Sequence, residues 1–198
     1  MADEAPERRL AAVMYAELRN FTRLSEVLEP GKVLTLANEF FALAAKAVDE
    51  NTGMVIAVHN DTLLAAFDAG GEGEFAYDAI KAAQAIQAQF GAIGERWQAE
   101  YGLPAAVSLG LHIGETVFGM AGPPSAQQFS ALGDCVSIAE RLVHRARHGE
   151  IVLSSDLLKA LGDAAADLGA ESLPELDLGK RPALQIYGLV LETRLDFT

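Results

Sequence analysis

One carboxylate, Glu17, stands where chemistry could be done. The stretch VMYAELRNFT, Val13 to Thr22, reads as a short buried strand that delivers Glu17 to its end; a tight polar segment, Arg19-Asn20, follows, and Phe21-Thr22 open a helix. A carboxylate in that place, beside backbone N–H groups at a helix start, can hold a metal ion next to a phosphate. The same residues also suit a strand edge whose Glu faces water. A second polar segment, His59-Asn60-Asp61, stands between the apolar runs Met54 to Val58 and Thr62 to Phe67. That spacing predicts a β-hairpin with a short turn, and Asn60 tolerates positive φ well enough to form one without glycine. His59 and His112 fall at strand positions, where an edge or core histidine is the expected role.

The composition narrows the partners. The chain has 198 residues, 51% of them hydrophobic, which is enough for a sizeable core and excludes a disordered chain. Its net charge of −13 makes nucleic acid and anionic membrane unsuitable partners, so a bound polyphosphate would need a metal ion or a local cluster of Arg and Lys. A single cysteine, Cys135, forbids an internal disulfide, and the charged start MADEAPERR is no signal peptide; no apolar run approaches membrane-spanning length. A cytoplasmic protein is the expectation.

The elements that must position these groups follow from periodicity. Arg8 to Leu18 predicts a buried strand, Phe21 to Leu28 a short helix, and Lys32 to Asn51 an amphipathic helix whose inward face carries Val33, Leu36, Phe40, Leu43, Ala47 and Val48. After the hairpin and a loop at Ala69 to Gly73, a long Ala-rich helix runs from about Phe75 to Tyr101. Ala105 to Ile113 and Thr116 to Met120 predict two strands joined by a Gly114-Glu115 turn, followed by a strand at Gln127 to Leu132. A helix from Cys135 to His148, a strand at Glu150 to Leu153, a short helix to Leu161 and a closing strand at Ala183 to Leu191 complete the chain. The order predicts an α+β fold: a ferredoxin-like split βαβ core with a mainly antiparallel central sheet and long helices on one face, in one domain over 1–198 with its core at roughly 8–192.

Four stretches together resemble the class III nucleotidyl cyclase catalytic domain, the adenylate/guanylate cyclase homology domain. VMYAELRNFTRLSE is similar to that family's Asp-Ile-x-Gly-Phe-Thr opening, TGMVIAVHNDTLLAAF to its Gly-Asp hairpin, SLGLHIGETVFGMAG to its Gly-x-His-x-Gly strand pair, and FSALGDCVSIAERL to its Gly-Asp-x-Val-Asn-x-Ala-x-Arg helix start. The tail LDLGKRPALQIYGL resembles the closing strand. The resemblance implies cyclisation of ATP or GTP with release of pyrophosphate, assisted by two divalent ions, Mg²⁺ or Mn²⁺, in sites shared across a head-to-tail homodimer. It places the metal carboxylates at Glu17 and Asp61, substrate contacts at Phe21 and Thr22, base reading at Ala57 and Ser130, ribose positioning at Ser137 and transition-state stabilisation at Arg141, with Lys180, two residues after the position of the family's phosphate Lys, as the stand-in for that contact.

Several of these positions depart from the family's residues. Glu17 stands for Asp, one methylene longer, which favours an ion less demanding than Mg²⁺. Ala57 stands for the base-reading Lys, Ser137 for the ribose Asn, Leu178 for the phosphate Lys and Asn20 for a turn Gly. Losing one preorganised donor typically costs about 10²–10³ in rate. A catalytically impaired, nucleotide- or partner-binding homodimer is therefore expected, with a slow, Mn²⁺-preferring cyclase as the alternative. Metal between Glu17 and Asp61 would favour turnover, and a Glu17 engaged in an ion pair would count against it. A regulatory partner is expected to be another chain, unless this sequence is a piece of a longer one.

Overall fold

The computed structural model describes residues 5–68 and 74–190. The predicted loop at 69–73, and the last residue of the predicted closing strand, lie outside that range. The elements are β1 (Glu7–Arg19), α1 (Phe21–Val27), α2 (Pro30–Glu50), β2 (Met54–His59), β3 (Thr62–Asp68), α3 (Phe75–Tyr101), β4 (Ala106–Ala121), β5 (Gln128–Leu132), α4 (Asp134–Arg145), β6 (Glu150–Ser154), α5 (Ser155–Leu161), β7 (Glu171–Leu176) and β8 (Leu184–Val190), with a 3₁₀ segment at Gly162–Leu168.

All the described strands join one sheet in the order β2-β3-β1-β4-β6-β8-β7, with β5 paired to β4. Among the described strand pairs, only β4 and β6 run parallel. The first four strands alone have the order β2-β3-β1-β4, antiparallel throughout, which is the expected split βαβ core.

Strand β1 is the hub of this sheet, and its alternation sorts the molecule into two layers. Ala12, Met14, Ala16 and Leu18 face the main core with Phe40 and Ala44 of α2 and Ile80, Phe90 and Trp97 of α3. Phe90 meets Phe40 and Trp97 edge-on, with ring centres 6.0 and 5.4 Å away. The alternate residues turn to the opposite face. Val13 packs with Leu64, Cys135 and Ala139, so α4 covers the sheet from the other side. The long helices α2 and α3 do share one face, as expected, and α4 stands alone on the other.

Three local expectations are corrected. Gly114-Glu115 is not a turn: β4 is one strand of 16 residues, and Gly114 pairs in register with Ala11 of β1. The glycine serves packing instead, because a Cβ there would sit 3.2 Å from the Cys135 Cβ on α4. Helix α2 begins at Pro30, since proline at the first turn has no hydrogen bond to lose. Helix α4 stops at Arg145 rather than His148, with Ala146 already extended.

Candidate active site

The end of β1 gathers the first group of predicted residues. Glu17 lies opposite Thr62 of β3 and Ser108 of β4. The Leu18 N–H donates to the Asp61 carbonyl at 2.8 Å, which fixes the β2–β3 turn against the end of β1. Asn60 takes φ 52°, the left-handed conformation expected of it. Asn20 likewise has φ 66° and donates its side-chain N–H to the Pro104 carbonyl at 2.8 Å, anchoring the step into α1. Phe21 then packs against the main core, while Thr22 lies exposed at the start of this seven-residue helix.

Arg19 organises this end of the sheet, and it was not singled out from the sequence. Its Nη1 donates to Glu17 Oε1 at 2.7 Å and its Nε to Ser108 Oγ at 2.9 Å. Its Nη2 donates to the Val143 and Ala146 carbonyls, both at 2.8 Å, at the end of α4, where backbone carbonyls run short of intrahelical donors. Both partners of the Glu17–Arg19 pair are largely buried, at 14% and 17% side-chain exposure. The other carboxylate oxygen, Glu17 Oε2, is buried with no hydrogen-bond partner and lies 3.9 Å from His144 Nε2. The signal was available in the strand period: residues two apart share a face, so Arg19 must lie beside Glu17.

A cleft of about 200 Å³ opens beside Glu17. Tyr15, Ala57, Thr62 and Leu64 form its floor, His59 one edge, and Glu140 and His144 of α4 a wall. Burial, and then the charge of Glu140, push the Tyr15 hydroxyl above its ordinary pKa. Ala57 therefore does line a cleft, but it brings only a methyl group. Glu140, His144 and Tyr15 escaped sequence reasoning because their meeting depends on α4 crossing β1 and β3.

The remaining predicted residues lie elsewhere on α4 and its surroundings. Ser137 and Arg141 are exposed. Arg141 donates to the Asp177 carbonyl in the loop before β8, so it sits toward the β8 side of the helix, whereas Glu140 and His144 face β3. Lys180 is exposed in the same loop. Leu178 packs against Ile138, Leu142 and Ile186 in an apolar cluster. Asp134, at the first position of α4, pairs with Arg181, and that contact holds its carboxyl below the usual range. Ser130, on β5, donates its hydroxyl to the Gln128 carbonyl at 3.1 Å. Thus Glu17, Asp61 and Ala57 cluster on one flank of α4, and Arg141 and Lys180 on the other.

His112 is buried, with Nδ1 2.8 Å from Ser154 Oγ, and burial lowers its pKa. This is the core role expected for it. His59 instead lies at the cleft edge, at the end of β2. Among the described residues, no three His, Cys, Asp or Glu side chains converge as a metal cluster, and no helix is long and apolar enough to cross a membrane.

The family model described as the adenylate and guanylate cyclase catalytic domain matches residues 4–188. Adenylate cyclase 1 of Rhizobium meliloti (strain 1021) is 29% identical over 196 residues, covering 92% of this chain and 28% of that protein. The chain thus spans little more than a quarter of the length of this curated relative. Among solved structures, the adenylyl cyclase CyaB from P. aeruginosa superposes with a TM-score of 0.86 at 22% identity, covering 96% of this chain and 98% of that one. The guanylate cyclase domain of RhGC from Catenaria anguillulae, solved in complex with GTP, gives 0.79 at 16% identity, covering 93% and 98%. With the split βαβ core, the Glu17–Asp61 sheet end and a family match over nearly its whole length, this chain belongs to the adenylate and guanylate cyclase catalytic domain family.

Proposed function

We propose that this chain is a cyclase homology domain that binds a nucleoside triphosphate between two head-to-tail copies and turns it over poorly or not at all. The observation that carries this reading is Ala57. It lines the cleft at the position implied for base reading, and a methyl group cannot hydrogen-bond to a purine. Leu178 adds to it: at the position implied for a phosphate-binding lysine, the side chain is committed to apolar packing on α4. The two-copy arrangement is supported by the split across α4. A chain that keeps Glu17 and Asp61 on one flank and Arg141 on the other needs a second copy to bring them to one nucleotide.

The residues at the end of β1 fit a divalent cation in part. An orphaned, buried carboxylate oxygen is an expensive arrangement unless a cation completes it, and Glu17 Oε2 is such an oxygen. Glu17 and Asp61 would hold the ion, with phosphate and water oxygens supplying the rest of its shell. The chemistry such an ion would supply is neutralisation of phosphate charge and activation of the attacking hydroxyl. Arg19 already occupies Oε1, so Glu17 offers one oxygen, and the ion must share it with a fixed guanidinium. This ion pair favours impaired turnover over the slow, Mn²⁺-preferring cyclase.

The test is a turnover assay with ATP and with GTP, each in Mg²⁺ and in Mn²⁺, with Asp61→Ala as control and light scattering to fix the oligomeric state. Trace or absent cyclic product from a folded dimer that binds nucleotide supports the proposal. Turnover comparable to that of a complete family member overturns it, and a monomer at high micromolar concentration removes the two-copy site.

A further inference from the structure

We infer that Glu140 reads the base in the cleft and selects guanine. The inference rests on the nucleotide reading above and adds the identity of the base. Neither implied base-reading position brings a charge to the cleft: Ala57 has no polar atom, and Ser130 lies outside the cleft lining, its hydroxyl proton given to the Gln128 carbonyl at 3.1 Å. Glu140 borders the same cleft from the helix side, so the room left by the short side chain on β2 faces a carboxylate arriving from α4. That carboxylate has no hydrogen bond or ion pair among the described residues, and its charge acts on the Tyr15 hydroxyl on the cleft floor. It stands in the cleft uncommitted.

The chemistry of that group chooses the ligand. An ionised carboxylate only accepts hydrogen bonds, and its two oxygens accept side by side. Guanine presents two adjacent donors, its N1–H and its 2-amino group, which meet both oxygens together. Adenine presents one donor, its 6-amino group, beside the N1 lone pair, which a carboxylate repels. Hypoxanthine keeps the N1–H and lacks the amino group, so inosine triphosphate should fall between the two. Ala57 and Leu64 give the base an apolar surface to lie against.

The experiment is equilibrium binding of fluorescent analogues of GTP, ITP and ATP to the full chain in Ca²⁺, which limits turnover. Glu140→Gln is compared with the wild type, with circular dichroism to confirm that the fold is kept. Gln has the same shape but replaces one acceptor with a donor, and position 140 is exposed, so the variant should fold. The expected result is GTP bound about ten-fold tighter than ATP with ITP between them, and Glu140→Gln bringing the ratio near one. A GTP-to-ATP ratio that Glu140→Gln leaves unchanged, or a wild type that prefers ATP, overturns the inference while leaving the nucleotide site intact. If none of the three nucleotides binds the folded protein, the nucleotide reading itself fails and the inference fails with it.

Discussion

Arg19 and Glu17 lie two residues apart on one face of β1, and their 2.7 Å ion pair is only part of what Arg19 holds. The same guanidinium satisfies a serine hydroxyl on β4 and two carbonyls at the end of α4. Removing it would leave Glu17 buried without its arginine partner and the Ala146 carbonyl without the donor that Arg19 supplies. Arg19→Met should therefore cost about 3–5 kcal/mol. Arg19→Lys should recover only part of the loss, because an ammonium cannot reproduce the planar fork. Urea unfolding with unchanged m-value gives the measurement; a loss below about 1 kcal/mol would show that the pair contributes little.

Gly110 sets how closely α4 approaches the sheet. A Cβ at this position would lie 2.2 Å from the Val143 backbone N and 2.6 Å from the Ala139 carbonyl oxygen, so no side-chain motion can relieve the clash. Gly110→Ala should lift α4 and destabilise the fold by about 3 kcal/mol or more. Gly91→Ala in α3 is the opposite case. A Cβ there meets nothing within 4 Å, and the exchange should add about 0.5–1 kcal/mol. Thermal unfolding of the two variants should move the midpoint in opposite directions.

Cys135 gives a pH dependence of definite sign. Burial against β1 and β4 raises its thiol from the ordinary 9.0 to about 11. The folded chain therefore holds this proton more tightly than the unfolded chain does. The resulting stability is fully present below pH 9.0, declines as pH rises and is gone above about 11. The shift corresponds to about 2–3 kcal/mol. Cys135→Ala should flatten the alkaline limb of the stability profile relative to wild type. An identical slope in both proteins would remove the effect from Cys135.

Ser137 tests the impairment directly. It is exposed on α4, one turn before Arg141, at the position where the family resemblance implies a ribose-positioning Asn. Ser137→Asn should leave stability within about 0.5 kcal/mol and raise Mn²⁺-supported turnover by up to about 10². Turnover of the variant no higher than that of the wild type would mean that other positions limit the rate.

What the sequence made legible was local. The β2–β3 hairpin and Asp61 were readable because Asn60 sits between two apolar runs, and Glu17 because an acid closes a run of buried residues. The long helix α3 was readable from its Ala-rich run, and Gly94 within it lets the helix lie against the Ala105 carbonyl, where a Cβ would come within 2.7 Å. Gly114 misled because a glycine required by a helix crossing overhead looks like a glycine required by a turn. Strand β7 escaped notice because Pro174 suggests a break, yet β7 is an edge strand, where proline is tolerated. Glu140 could not be placed in a cleft without knowing which way α4 turns.

The position of β1 inside the sheet, between β3 and β4, has a consequence for the order in which the molecule can form. Its first partner, β3, follows within the next fifty residues or so, but β4 starts only at Ala106. The α4 carbonyls that Arg19 holds come later still, at sequence separations of 124 and 127. A ribosome therefore makes β1 before either of its neighbours and leaves one of its edges open until β4 has emerged. Closing that edge is a long-range step, slow in the way that non-local strand pairing is slow. Until then an apolar strand with unpaired N–H and C=O groups is open to wrong partners, so the nascent chain is most vulnerable between the synthesis of β3 and that of β4.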